Sequence, residues 1–67
     1  MTPAQKRALL DSIEASLGSA EISRGLLMDD DDVLHDVEML SALASIRNGI
    51  RDGRIGLGMA RTRMAAA

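Results

Sequence analysis

The chain has 67 residues and a formal net charge of −2, and it contains no Cys, Phe, Tyr or Trp. Its length allows one domain at most, and the absence of Cys excludes disulfides and thiolate metal sites. A chain of this size usually needs disulfides, a metal or oligomerisation to be stable. We therefore expect a core of aliphatic residues and Met in an all-α domain that forms a homodimer.

The first predicted helix begins at Thr2-Pro3, because a hydroxyl residue followed by Pro is typical of a helix start. Apolar residues recur at helical spacing as far as Leu17, and Gly18 is a typical residue beyond a helix end. The pattern predicts a helix over residues 3–17. A second, short helix is predicted over residues 20–28, with Ser19 as its cap.

The third predicted helix spans residues 31–52 and is long for so small a chain. One of the aspartates 30–32 caps it, and Asp52-Gly53 ends it. Its apolar residues form two adjacent lines, which make a face wider than one short helix can cover. We therefore predict that this face is the dimer interface, formed by Val37, Leu40, Leu43, Ile46 and Ile50.

The C-terminal segment, residues 54–67, is rich in Gly and Arg. Gly53, Gly56 and Gly58 interrupt it, and apolar residues alternate with them. This pattern predicts an irregular or flexible arm that follows a helical domain of residues 1–53.

Four consecutive aspartates precede the third helix. One or two carboxylates suffice for capping and for the helix dipole, so the excess favours a contact with the basic surface of a protein partner. The predicted contact residues are Asp29, Asp30, Asp31, Asp32 and Asp36. Capping together with a solvated turn is the simpler interpretation of the run. Two others stay open: the carboxylates stand in for the phosphates of a nucleic acid, or the acidic run of one subunit meets the Arg-rich end of another in an antiparallel dimer. Asp31, His35 and Glu38 offer the ligand types of a metal site at helical spacing, but one helix rarely supplies a closed shell of ligands, and we expect no metal.

Arginines concentrate near the C-terminus. Arg47, Arg51 and Arg54 share one helix face, and Arg61 and Arg63 follow in the arm. Such a group suits an acidic protein surface or the phosphates of a nucleic acid. The predicted partner-binding arginines are Arg51, Arg54, Arg61 and Arg63.

The segment EASLGSAEISRGLL, residues 14–27, resembles part of a helix-turn-helix. In that family a small residue and Leu-Gly precede a short turn, and Ile-Ser-Arg-x-Leu follows, as in Leu17-Gly18 and Ile22 to Leu26. The spacing is about two residues shorter than the family's usual turn. The resemblance implies a DNA-binding transcriptional regulator that uses a shortened helix-turn-helix and the C-terminal arginine arm.

Catalysis has little support, because the chain has one His and no Cys. We expect no catalytic residues, no cofactor and no small-molecule substrate. No apolar run reaches the roughly 20 residues of a membrane span, and no signal-peptide pattern is evident. The prediction is a cytoplasmic helical regulator or inhibitor of the antitoxin, anti-activator or phage-inhibitor type, acting by stoichiometric binding to a macromolecular partner. The DNA-binding regulator is the alternative.

Overall fold

Two long antiparallel helices joined by a short helical turn make up the molecule. The computed structural model describes residues 1–66, with α1 at Pro3–Met28, α2 at Asp31–Leu34 and α3 at Val37–Ala65. These residues include no strand. The prediction of an all-α domain with a long third helix is confirmed. The hairpin is a rod with extents of 49 × 15 × 14 Å.

The start of α1 is the one that the sequence predicts. The backbone N–H of Gln5 donates to Thr2 Oγ1 (3.1 Å), and the backbone N–H of Thr2 donates to Gln5 Oε1 (2.7 Å). This reciprocal pair, with Pro3 in the first turn, is a capping box. It satisfies two donors that a helix N-terminus otherwise leaves without partners.

Gly18 and Ser19 do not separate two helices, and the predicted break there is wrong. Both residues lie inside α1, which continues to Met28. Leu10, Leu17 and Arg24 recur every seven residues and are all partly buried. Because these residues lie along one side of α1, an unbroken helix keeps them against α3, and this packing outweighs the cost of about 1 kcal/mol for a helical glycine.

The limits of α3 also differ from the prediction. Asp30 caps α2, whereas Asp36 caps α3, which begins at Val37. The helix passes through Asp52-Gly53 and includes residues 54–65 of the predicted irregular arm, of which residue 67 lies outside the described residues. No described glycine has a positive φ, so none of them adopts the left-handed conformation that is common for a glycine at a helix end.

The core is a single line of side chains along α3. Leu43, Ile50 and Leu57 lie seven residues apart and are the buried hydrophobic residues of the described chain. Their spacing places them on one side of a helix that packs lengthwise on another helix. Gly53 lies directly against α1, because a Cβ there would lie 3.0 Å from Leu17 Cδ2. This line of contact between α1 and α3, called here the seam, therefore continues beyond the predicted end of the helix.

Candidate interaction surfaces

The acidic turn, residues 29–36, joins the two long helices and holds two carboxylates as caps. Asp30 Oδ1 accepts hydrogen bonds from the backbone N–H groups of Asp32 (2.9 Å) and Val33 (3.2 Å). Asp36 Oδ1 accepts one from the backbone N–H of Met39 (3.1 Å). Capping thus accounts for two of the five predicted aspartates.

The side chains of Asp29, Asp31 and Asp32 have no such role. All three are exposed, and among residues 1–66 their carboxylates make no ion pair or hydrogen bond. Asp31 and Asp32 lie in the first turn of α2, where a negative charge is favoured by the helix dipole. These three carboxylates are the acidic groups of the turn that are exposed and not engaged as caps.

The structure does not bring the possible metal ligands of the acidic run together. Asp31 lies in α2, His35 follows that helix and Glu38 lies in α3, so the three residues do not share one helix face. His35 Nδ1 lies 2.6 Å from the backbone oxygen of Asp31. Over residues 1–66, no group of three or more His, Cys, Asp or Glu side chains is placed to hold a metal ion.

An open groove on the side of α3 brings arginines from both long helices together. The groove has a volume of about 580 Å³, and its lining comprises Glu21, Arg24, Arg47, Ile50, Arg51, Arg54 and Ile55. We call it the arginine groove. The predicted grouping of Arg47, Arg51 and Arg54 is therefore observed. Arg24 was not predicted, and it joins the set because α1 continues through Gly18.

Two arginines of the arginine groove are held by contacts between the helices. Arg24 Nε–H donates to the backbone oxygen of Leu43 across the hairpin (2.8 Å). Arg54 pairs with Glu21 (2.8 Å). Arg51 lies 3.6 Å from Asp52 on its own helix, and Arg47 makes no ion pair with any described residue. Arg47 and Arg51 thus supply the cations that remain open to a partner.

Arg61 is engaged at the open end of the hairpin. One of its Nη groups donates to Asp11 (2.7 Å) and to Glu14 (3.0 Å). The hydrogen bond to Asp11 is the main cause that raises the pKa of Arg61. Partial desolvation acts in the opposite direction, and both carboxylate charges and the bond to Glu14 add to the rise. Arg63 is exposed and makes no ion pair within residues 1–66.

The residues of the predicted dimer interface have different surroundings in the single chain. Leu43 and Ile50 are buried in the hairpin, whereas Ile46 is 47% exposed and Val37 is 80% exposed. Leu40 is partly buried. Because the seam with α1 already covers Leu43 and Ile50, these two side chains are not open to a second molecule in this fold.

The segment that resembles a helix-turn-helix contains no turn. Residues 14–27 lie within α1, so the implied recognition element is absent, and that part of the DNA-binding prediction is wrong. No helix among residues 1–66 combines the length and apolar character needed to cross a membrane. Comparison with protein-family models, curated proteins and solved structures gives no match to this chain.

Proposed function

We propose that this protein acts by stoichiometric binding to a macromolecular partner, as a small regulator or inhibitor of the antitoxin, anti-activator or phage-inhibitor type. The observation that carries the proposal is the group of exposed, unpaired carboxylates in the acidic turn, and the large surface that the hairpin leaves open is consistent with it. Its accessible surface is 5113 Å², whereas a compact monomer of 7.1 kDa exposes about 4,100 Å². A chain with so small a core is suited to binding a partner through its exposed helix surfaces.

The proposed partner is a protein with a basic surface, and the acidic turn is its contact. Asp29, Asp31 and Asp32 are exposed and make no ion pair with the rest of residues 1–66. Arg54 and Arg61, by contrast, already face carboxylates of α1. A concentrated charge at one end of a rod steers a complementary surface and increases the rate of association more than the affinity.

The test is capture of partners from a lysate by the whole chain, with nuclease treatment in parallel. We expect the Asp31→Asn/Asp32→Asn variant to lose a protein that the unchanged chain retains. This variant leaves the cap at Asp30 intact. The Glu14→Gln/Asp52→Asn variant makes the same change in net charge away from the turn and should retain the protein. Equal capture by both variants would contradict the role of the acidic turn.

The arginine groove supports a second candidate, which is binding of a nucleic acid. Arg24, Arg47, Arg51 and Arg54 line one surface, and guanidinium groups bind phosphates well. Binding to duplex DNA should weaken steeply with salt, and Arg47→Gln/Arg51→Gln should flatten that dependence. Asp31→Asn/Asp32→Asn should leave this affinity equal or higher. Absence of duplex binding at low salt would remove this candidate.

A further inference from the structure

The ion pairs between the helices show which sides of α1 and α3 lie together. Arg54 pairs with Glu21, and Arg61 pairs with Asp11 and Glu14. The sides of the two helices that carry these groups therefore adjoin on one face of the hairpin, called here the charged face. The other side of each helix, across the buried seam, must adjoin on the opposite face.

That opposite face, called here the apolar face, carries aliphatic residues and glycines. On α1 it includes Leu9, Ile13 and Leu27, and on α3 it includes Ile46, Gly49 and Gly56. Their separations are those of residues on one side of a helix. Alternating steps of four and three residues follow this side of each helix, from residue 9 to 27 on α1 and from residue 42 to 60 on α3. None of the residues at these positions is charged.

The apolar face is only half covered by the hairpin itself. Leu9 is 52% exposed, Ile13 is 49% exposed and Ile46 is 47% exposed. The hairpin exposes roughly 1,000 Å² more than a compact monomer of its mass, and a stable interface buries about 800 Å² on each partner. This surplus belongs to the whole surface of the hairpin, and it is of the size that one protein interface covers.

The distribution of charge along the rod indicates what covers this face. The acidic turn lies at one end of the hairpin, and Lys6, Arg7 and Arg63 lie at the other. Two copies in reversed orientation place the acidic turn of each beside the basic end of its partner. Two copies in the same orientation bring the two acidic turns together, where like charges repel.

We propose that the apolar face binds the apolar face of a second, antiparallel copy, and that the dimer is a four-helix bundle. Its interface differs from the one predicted from the sequence, because it uses both long helices and shares only Ile46 with that set. The acidic turn holds more carboxylates than the opposite end has cations. Each end of the dimer therefore keeps a negative charge, which a basic partner can still bind. The dimer itself forms without the proposed partner.

The first test is the mass in solution of the full chain, measured by sedimentation equilibrium. We expect twice the chain mass of 7.1 kDa at high concentration and dissociation on dilution. A single-chain mass at every concentration overturns the proposal.

Matched variants then test which face is used. Ile46→Gln should raise the dimer dissociation constant by about tenfold or more, whereas Ile55→Gln should change it by about twofold or less. Ile46 and Ile55 lie on the same helix and are 47% and 57% exposed, but Ile55 lies outside the apolar face. Equal effects of the two variants would contradict the assignment of the face.

A second pair of variants separates loss of the dimer from loss of the fold. A Cβ at Gly49 or at Gly58 meets no atom within 4 Å of the single hairpin, so either change to Ala should increase helix stability. Gly49 lies on the apolar face. Gly58 lies on the same side of α3 as the charged face. Gly49→Ala should weaken the dimer, and Gly58→Ala should not. If Gly49→Ala leaves the dimer dissociation constant unchanged, the two copies do not pack closely at this face, which contradicts the proposed interface.

The orientation is tested by fluorescence transfer between copies labelled at one introduced Cys each, since the described chain has no cysteine of its own. Donor-labelled Asp32→Cys mixed with acceptor-labelled Arg63→Cys should give strong transfer. With a dye pair whose transfer distance is much shorter than the rod, two populations of Asp32→Cys should give little transfer, because their labels lie near opposite ends of a rod 49 Å long. The reverse result identifies a parallel dimer and overturns the proposal.

Discussion

Gly53→Ala tests how closely α1 and α3 approach along the seam. A Cβ at this position would lie 3.0 Å from Leu17 Cδ2 and 3.5 Å from Leu17 Cδ1. At Gly18, in the middle of α1, an added Cβ meets no atom within 4 Å. The same substitution at these two sites therefore separates helix propensity from packing between the helices.

Two opposing effects set the size of the change. Replacing a helical Gly by Ala stabilises the helix by about 1 kcal/mol, and overfilling a packed site costs about 1–3 kcal/mol. The lower half of that range, about 1–2 kcal/mol, applies at Gly53, because the nearest atom ends a Leu side chain that can move. We expect Gly53→Ala to leave the free energy of unfolding unchanged or to lower it by up to about 1 kcal/mol, whereas Gly18→Ala raises it by about 1 kcal/mol.

The assay is thermal unfolding followed by circular dichroism, at one chain concentration because self-association shifts the midpoint. For a domain of this size, 1 kcal/mol corresponds to roughly 4–8 °C. In a Leu17→Ala background the contact is removed, and Gly53→Ala should then stabilise as much as Gly18→Ala does. Equal stabilisation by Gly18→Ala and Gly53→Ala in the unchanged chain would refute the close approach of the helices.

Three further changes and two control substitutions test the seam and the turn by urea unfolding at fixed chain concentration. Leu43→Ala empties the most buried position of the described chain and should cost about 2–5 kcal/mol. Leu26→Ala, at a side chain that is 68% exposed, should cost about 0.5 kcal/mol or less. Arg24→Met removes the hydrogen bond between the helices and should cost about 1 kcal/mol, so an unchanged stability would show that this bond contributes nothing. Asp30→Ala removes the cap of α2 and should cost about 1 kcal/mol, and an equal loss from Asp32→Ala would contradict the assignment of the cap.

The local signals in the sequence were reliable where one residue acts on its immediate neighbours. Thr2 and Pro3 begin α1 as predicted. Asp30, one of the predicted caps, does cap a helix, but that helix is α2 and not the long α3. These features depend on side chains that bond backbone groups two or three residues away. The helical spacing of the apolar residues also predicted the all-α class and a long third helix.

The arginines show how far the candidate site was predictable. The shared face of Arg47, Arg51 and Arg54 follows from helical spacing, and the three residues do line one groove. Spacing did not reveal the addition of Arg24 to that groove or the engagement of Arg61 by two carboxylates of α1. Both depend on residues from the other helix, at sequence separations that a local pattern does not include.

The sequence by itself determined the helical class, the capped start of α1 and the acidic turn, because each follows from short-range bonding and composition. Tertiary structure alone decided that Gly18 and Gly53 lie inside helices. An isolated segment favours ending a helix at glycine, since glycine has the larger conformational entropy to lose. Packing between α1 and α3 reverses that preference, because Leu43, Ile50 and Leu57 are buried only if both helices continue along their full length.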